Sequence, residues 1–308
     1  MSLRDKLRSD PLLPLYLIRS KILRGLVYPR MWKRGTNVLN EDWDCLIILD
    51  ACRYDVFERI YEDYINFGEL EKRISLGTET TSFLLRNFGD GYHDIVYVTA
   101  NPFVDELLSK NLFKIVPVWK FGWNGNTVHP KTLYKYAVRT MAKYEGKRMV
   151  VHFIQPHFPF ITIKIEDETF DELRRAVIEG REPRIRNRKK RLDRISSLDF
   201  YVKSDIAKLR KAYEANLKVT LPYVARLMRL VRGRIVVTAD HGEAFGEKLH
   251  NLIPIRVYGH PKDVPIKELL EVPWLVYDND DPLDLNKEIA RLGGNRIRKT
   301  VKKIRKRL

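Results

Sequence analysis

The sequence predicts an α/β fold, a three-layer αβα sandwich with a mostly parallel central sheet. Two apolar runs, Cys45–Leu49 and residues 234–238, have the length and composition of buried strands. A segment with helical spacing of apolar side chains follows the first run at residues 52–65, and another precedes the second run at residues 217–230. Strands that alternate with helices in this way form parallel sheets with helices on both faces.

Three further apolar runs predict strands at residues 95–99, 149–154 and 271–277. Helices are predicted at residues 83–88 and 131–144 from their apolar spacing. Residues 114–129 contain two tryptophans and are predicted to be a connection.

A chain of 308 residues suits one large domain or two small ones, and we favour one, over residues 43–285. Residues 1–42 are predicted to be a basic lead-in. Residues 165–212 break the α/β rhythm and are predicted to be a basic insertion, because residues 181–194 carry eight basic and two acidic side chains. Such a run is typical of a solvated helix face or a loop. Residues 286–308 are predicted to be a basic amphipathic tail.

The net charge favours anionic partners. Lysine and arginine number 57 against 40 acidic residues, which gives a formal charge of +17. Nucleic acid, an anionic membrane surface and a phosphorylated or sulfated substrate all fit this charge. Nucleic acid is less favoured, because the basic runs contain few aromatic residues and no recognisable RNA- or DNA-binding motif.

Several features predict a cytoplasmic protein. The two cysteines, Cys45 and Cys52, do not form a plausible disulfide pair, and the sequence shows neither a signal-peptide pattern nor an apolar run of membrane-spanning length. The tail at residues 296–308 sets an apolar helical stripe among basic residues, which predicts peripheral attachment at the inner membrane face. Packing of the tail on its own domain is the alternative. The stripe consists of Ile297, Val301, Ile304 and Leu308.

Polar residues follow the two strands that first predicted the fold. Asp50 comes directly after the first, and Asp240 and His241 follow the second. Ligands bind outside the carboxyl ends of parallel strands, and carboxylate and imidazole groups together suit a divalent cation. The alternative for the second segment is a surface turn in which the aspartate caps a helix.

The motifs LDACRYD at residues 49–55 and TADHGE at residues 238–243, with a hydroxyl-rich loop between them, resemble the alkaline phosphatase and sulfatase superfamily. The resemblance covers residues 43–277. It implies that Asp50, Asp240 and His241 hold a divalent ion, which could be Zn, Mn, Mg or Ca. It also implies a nucleophile in the loop at residues 76–84. The formylglycine signature Cys-x-Pro-x-Arg is absent, so the chain resembles the threonine-nucleophile branch, which includes phosphodiesterases and phosphoethanolamine transferases.

Thr80 is the predicted nucleophile and a further metal ligand, because it lies just before the expected helix start. A metal-bound hydroxyl there is easily deprotonated and close to the N–H groups of the helix. The other candidates are Thr78, Thr81 and Ser82, and such hydroxyls also commonly cap helices.

Three more residues receive predicted roles. The resemblance implies that His157 and His260 contact substrate or a second metal, although the Asp-x-x-x-His pair of the two-zinc members is missing. Arg53 is predicted to bind substrate oxygens, with an ion pair to Asp55 as the alternative. Glu243 is predicted to orient His241 or an adjacent backbone group.

The predicted function is therefore that of a metal-dependent hydrolase or transferase acting on phosphate-type esters through a threonine nucleophile. Hydrolysis of sulfate esters is the first alternative. The second is a non-enzymatic protein that binds nucleic acid or an anionic membrane.

Overall fold

The computed structural model describes residues 34–124, 127–162, 205–250 and 253–293. The basic run at residues 181–194 and the tail at residues 296–308 lie outside these ranges. Within them the strands are β1 (Cys45–Leu49), β2 (Glu69–Ile74), β3 (Tyr92–Thr99), β4 (Leu112–Pro117), β5 (Trp123–Asn124), β6 (Thr127–Val128), β7 (Arg148–Phe153), β8 (Gly233–Thr238), β9 (Ala244–His250), β10 (Ile253–Gly259) and β11 (Glu271–Asn279).

The described residues form a central seven-stranded sheet in the order β2-β11-β8-β1-β7-β3-β4. The five strands from β8 to β4 are parallel to one another. β11 runs antiparallel to both of its neighbours, β8 and β2. β1 is the central strand of this sheet. All of its side chains are buried and apolar, as expected for a strand that is covered on both faces. The expected mostly parallel sheet is confirmed.

The helices are α1 (Tyr54–Ile60), α2 (Thr80–Phe88), α3 (Pro102–Leu108), α4 (Pro130–Lys143), α5 (Ile206–Leu230), α6 (Lys267–Leu270) and α7 (Leu285–Arg291). Alternate residues of β1 belong to two different apolar clusters. Cys45, Ile47 and Leu49 pack with α1, α4 and α5, whereas Leu46 and Ile48 pack with α2 and α3. The sheet therefore lies between two helical layers, as predicted.

Two predicted segment boundaries differ from the structure. The basic insertion was expected to extend to residue 212, but α5 begins at Ile206 and buries Leu209 and Ala212 in the core. The tail was expected from residue 286, but α7 packs on the domain through its buried residue Glu288. Both segments look basic and polar in sequence because only one side of each helix is buried.

Candidate active site

The carboxyl ends of β1 and β8 bring the predicted metal ligands together. The two strands are parallel neighbours, with Ile48 opposite Thr238, so the residues that follow them meet at one edge of the sheet. One carboxylate oxygen of Asp50, one of Asp240 and one imidazole nitrogen of His241 lie within 4.8 Å of one another. All three residues are buried. We call them the Asp-Asp-His cluster.

Thr80 reaches the Asp-Asp-His cluster from the first turn of α2. Its Oγ1 donates a hydrogen bond to Oδ2 of Asp240 at 2.8 Å and lies 3.3 Å from Nε2 of His241. The Thr80 side chain is itself buried, so few water molecules compete for these contacts. The hydroxyl predicted to be the nucleophile is thus the one that contacts the predicted metal ligands.

The other three candidate hydroxyls have different partners. Thr78 donates to the backbone carbonyl of Pro261 at 3.1 Å. The hydroxyls of Thr81 and Ser82 both donate to the carboxylate of Glu79, the residue that caps α2. These three hydroxyls therefore serve the local structure of the loop and helix.

Backbone contacts fix the direction of each ligand. Oδ1 of Asp240 accepts hydrogen bonds from the backbone N–H groups of Ala51, at 3.0 Å, and His241, at 2.9 Å. Nδ1 of His241 lies 2.8 Å from the carbonyl of Gly242 and can only donate to it, which leaves the lone pair of Nε2 free for a cation. Gly242 is required because a Cβ there would lie 2.0 Å from the carbonyl oxygen of Glu268.

The electrostatics of the Asp-Asp-His cluster fit a divalent cation. Burial, and after it the neighbouring carboxylate of Asp240, raises the pKa of Asp50 well above its ordinary value. Burial alone would also raise the pKa of Asp240, but His241 and His152 lower it. Oδ1 of Asp50 is buried and has no hydrogen-bond partner among the described residues. Two carboxylates, an imidazole and a hydroxyl match the ligands of zinc or manganese better than those of calcium, which prefers oxygen alone.

A second cluster of metal-ligating side chains adjoins the first. His157, Glu243 and His260 also bring one ligand atom each within 4.8 Å of one another. The ring centroids of His260 and His241 are 4.7 Å apart, so the two clusters are neighbours. Burial would lower the pKa of His260, but its contact with Glu243 raises it, whereas burial lowers the pKa of His157 to about 4. This geometry suits either a second cation or the oxygens of a substrate.

Two residues at the Asp-Asp-His cluster were not assigned roles from the sequence. Asn101 donates from Nδ2 to Oδ2 of Asp50 at 2.6 Å. It follows β3, so the pattern that identified Asp50 also pointed to it. Nε2 of His152, within β7, lies 3.9 Å from Asp50 and 3.8 Å from Asp240, and its Nδ1 is 3.0 Å from the Tyr97 hydroxyl. The signal for His152 was a lone polar residue inside an apolar strand.

Arg53 does not contact the Asp-Asp-His cluster. Its guanidinium pairs in bidentate fashion with Asp55, at 2.8 and 2.7 Å, and with Glu247 at 2.6 Å, and it donates to the backbone carbonyl of Glu243 at 3.2 Å. The carboxylates that surround it hold it away from the position predicted from the sequence. The contacts match the alternative interpretation, an anchor for Asp55.

Glu243 differs from its predicted role in a similar way. Its carboxylate lies 3.3 Å from Nδ1 of His260, whereas Nδ1 of His241 is satisfied by a backbone carbonyl. Glu243 therefore orients a histidine of the second cluster.

No protein-family model matches the chain, and no curated protein matches its sequence. Solved structures do match. One is the integral membrane protein lipooligosaccharide phosphoethanolamine transferase A from Neisseria meningitidis, at 11% identity and a TM-score of 0.48, with 87% of this chain and 59% of that chain covered. The C-terminal periplasmic domain of EptC from Escherichia coli, solved with zinc, matches at 12% identity and a TM-score of 0.42, with coverage of 76% and 72%.

A protein in the alkaline phosphatase superfamily from Vibrio parahaemolyticus matches at 13% identity and a TM-score of 0.41, with 77% of this chain and 60% of that chain covered. This chain thus spans about three fifths of the length of the Neisseria transferase. At this level of identity the likeness is one of fold.

The predicted cytoplasmic location, with attachment at the inner membrane face, is corrected by these matches. The EptC domains among them are periplasmic domains of that protein. The lack of a disulfide between Cys45 and Cys52 does not indicate a cytoplasmic location. Both thiols are fully buried, so an oxidising environment does not reach either of them. Among the described residues, no helix combines the length and apolar character needed to cross a membrane.

Proposed function

We propose that this chain is a metal-dependent hydrolase or transferase of phosphate-type esters with Thr80 as its nucleophile. The observation that carries the proposal is the contact of Thr80 Oγ1 with Asp240 Oδ2 at 2.8 Å, inside a buried Asp-Asp-His cluster. A hydroxyl is a weak nucleophile unless neighbouring groups activate it. Here the neighbouring groups are those of a cation site.

The two clusters have different roles in ester cleavage. Asp50, Asp240 and His241 would hold a divalent ion, which supplies positive charge that favours the deprotonated hydroxyl and stabilises the phosphoryl oxygens. Thr80 Oγ1 attacks phosphorus and forms the new P–O bond, its proton leaves by way of Asp240 Oδ2, which accepts its hydrogen bond, and the bond to the leaving alcohol breaks.

The second cluster serves the leaving and entering groups. The imidazole of His260 is paired with Glu243 and can hold a proton for the departing oxygen. Water or an acceptor alcohol then attacks the phosphothreonine, which returns the Thr80 hydroxyl. Water as the acceptor gives a hydrolase, and an alcohol gives a transferase.

The experiment compares Thr80→Ala with Thr81→Ala on bis(p-nitrophenyl) phosphate, with zinc or manganese added. Loss of the nucleophile should lower kcat by about a thousandfold or more, and Thr81→Ala should stay within about fivefold of wild type. Thr81 is a matched control because it is the next residue and its hydroxyl contacts only Glu79 among its described partners. Mass spectrometry of the quenched wild-type enzyme should find phosphate on Thr80.

Turnover by Thr80→Ala at the wild-type rate would remove Thr80 from the mechanism. An aryl sulfate tested in parallel distinguishes the sulfatase alternative, which predicts faster turnover of the sulfate. If neither ester is hydrolysed with zinc, manganese, magnesium or calcium, the remaining interpretation is a non-enzymatic protein that binds nucleic acid or an anionic membrane.

A further inference from the structure

His152 is a fully buried polar side chain inside the central sheet. It lies in β7, where it pairs with Ile48 of β1 and Thr99 of β3, and its neighbours along the strand are apolar. Nε2 of His152 has no hydrogen-bond partner among the described residues. A buried polar group without a partner costs free energy, and an apolar side chain would fill this position without that cost. The imidazole therefore indicates a role other than packing.

Nε2 of His152 faces both carboxylates of the Asp-Asp-His cluster. It lies 3.9 Å from Oδ2 of Asp50 and 3.8 Å from Oδ2 of Asp240, so it is almost equally distant from the two oxygens. Both distances are longer than a hydrogen bond, but little solvent screens the attraction because each of the three residues is at most 2% exposed. An N–H group at this position attracts both negative charges at once.

The contact with Tyr97 determines which nitrogen of His152 carries a proton. Nδ1 lies 3.0 Å from the buried Tyr97 hydroxyl, which has no other hydrogen-bond partner in the described part of the chain. The lone pair of Nδ1 can accept the hydroxyl proton, and the neutral imidazole then carries its own proton on Nε2. The opposite tautomer would leave the hydroxyl proton without an acceptor and turn a lone pair toward two carboxylates. Nε2 is therefore a donor and not a metal ligand.

An N–H group behind the two carboxylates offsets their mutual repulsion. The ligand oxygens of Asp50 and Asp240 lie within 4.8 Å of each other, and like charges this close disfavour each other. Oδ2 of Asp50 also accepts a hydrogen bond from Asn101 at 2.6 Å, whereas Oδ1 lies 3.8 Å from Nε2 of His241. Asn101 and His152 thus face one oxygen of Asp50 and leave the other toward His241, where a cation would bind.

Resting on the proposed function, we infer that His152 is a positioning residue of the metal site. Its Nε2–H group holds the carboxylates of Asp50 and Asp240 together, and so strengthens the binding of a cation without contacting it. Loss of a group that orients metal ligands lowers metal affinity by about 10- to 100-fold.

The test compares three substitutions of His152 that differ in where they place a donor. His152→Gln puts an amide N–H group near the position of Nε2. His152→Met has a similar length and no N–H group, and the amide of His152→Asn reaches only as far as Nδ1. The affinity of each full-length protein for zinc is measured at neutral pH by competition with a chelating dye.

We expect His152→Gln to bind zinc within about fivefold of wild type, and His152→Met and His152→Asn to bind it about 10- to 100-fold more weakly. A purely structural role would give another order, in which His152→Asn, with its partner for Tyr97, is the mildest change. Cobalt at saturation should give the same visible absorption bands in wild type and His152→Met, because no metal ligand is lost.

The outcomes separate the role of His152 from the proposed function. Equal zinc affinity in wild type and all three variants would overturn the positioning role while the proposed function stands. A changed cobalt spectrum in His152→Met would make His152 a ligand and also overturn it. If His152→Asn does not fold, the comparison of His152→Gln with His152→Met decides, and equal affinities contradict the role. If wild type binds neither zinc, manganese nor cobalt, the cation site of the proposed function fails together with the role of His152.

Discussion

At the scale of single residues, Ala51 forms the turn that directly follows Asp50. Its φ of 57° lies in the left-handed region, which costs a non-glycine residue about 1 kcal/mol or more. Two contacts hold this conformation. The Ala51 N–H donates to Asp240 at 3.0 Å, and its carbonyl accepts a hydrogen bond from the Tyr213 hydroxyl at 2.6 Å. The turn after β1 is thus held by Asp240, a candidate metal ligand, on one side and by α5 on the other.

Tyr213→Phe should destabilise the protein and weaken metal binding together. The hydroxyl donates to Ala51 and accepts from the N–H of Arg53 at 2.9 Å, so its loss leaves two buried backbone groups without partners. The free energy of unfolding should fall by about 2 kcal/mol, and zinc should bind more weakly, by calorimetry. Tyr223→Phe on the same helix is the control. An unchanged zinc affinity in Tyr213→Phe would show that the turn keeps its shape without the hydroxyl.

The sequence predicted the residues of the Asp-Asp-His cluster because each directly follows an apolar strand. The partners of these residues could not be found in the same way. Tyr213 lies about 160 residues from Ala51, near one end of a long helix, and its side chain looks like any other buried aromatic of that helix. The Arg53–Asp55 pair was one of the two predicted alternatives, but its second partner Glu247 could not be predicted, because it belongs to a hairpin that the sequence did not reveal.

At the scale of secondary structure, five apolar strands were predicted closely, but β4, which reaches into the predicted connection at residues 114–129, and the more polar strands were missed. β1 has the predicted bounds, and β3, β7, β8 and β11 differ from prediction by up to three residues at an end. β2 is an edge strand with the sequence ELEKRI and no fully buried residue, so its hydrophobic pattern is weak. The β9–β10 hairpin lies outside the seven-stranded sheet. It was missed for a similar reason to β2, because only some of its described side chains are buried.

The docking of α7 depends on a charged residue. Glu288 is 3% exposed and accepts a hydrogen bond from the Tyr134 hydroxyl of α4 at 2.6 Å, and it pairs with Arg226 of α5 and with Arg291. Burial alone would raise the pKa of Glu288, but hydrogen bonds from Arg291, Arg226 and Tyr134 lower it to about 2. One carboxylate therefore joins three helices.

Glu288→Gln should destabilise the protein by about 2 kcal/mol at neutral pH, because the arginines lose their charged partner. The pKa of Glu288 is lowered in the folded state, so its stabilising contribution is present above the unfolded pKa of about 4.3 and is lost as the pH falls toward about 2. Urea unfolding at a series of pH values should show wild type and variant converging progressively between about pH 5 and about pH 2.

The control for this series is Glu145→Gln, an exposed residue after α4, which should change little at any pH. The difference in the free energy of unfolding between Glu288→Gln and wild type should stay constant down to about pH 3 only if packing, and not charge, is the source of the Glu288 contribution.

At the scale of the whole molecule, the candidate metal site joins distant parts of the chain. Asp50 follows the central strand, Asp240 follows its neighbour on one side, and Thr80 begins a helix of the opposite layer from α5. The sequence could predict this convergence because parallel strands share one carboxyl edge, a rule independent of sequence details. Much of the +17 charge lies in residues 181–194 and 296–308, outside the described residues, so its position relative to the site stays a prediction.

Removal of the metal should therefore lower the stability of the entire domain. Without a cation the buried carboxylates of Asp50 and Asp240 lie close together, which favours opening of the β1 and β8 ends. An ion present at about 100 times its Kd stabilises the native state by about 2.7 kcal/mol, so chelation should lower Tm by about 5 °C or more. Zinc or manganese in excess should restore it.

The Asp240→Asn variant is the control for chelation, because its side-chain oxygen can still accept from Ala51 and His241 while one charged ligand is lost. The Tm of this variant should be insensitive to chelator, and its metal content by elemental analysis should fall in parallel. A wild-type Tm that chelator leaves unchanged would contradict a metal-linked fold. Because Oδ1 of Asp50 is buried and has no hydrogen-bond partner within the described part of the chain, such a result would require a proton to take the place of the cation.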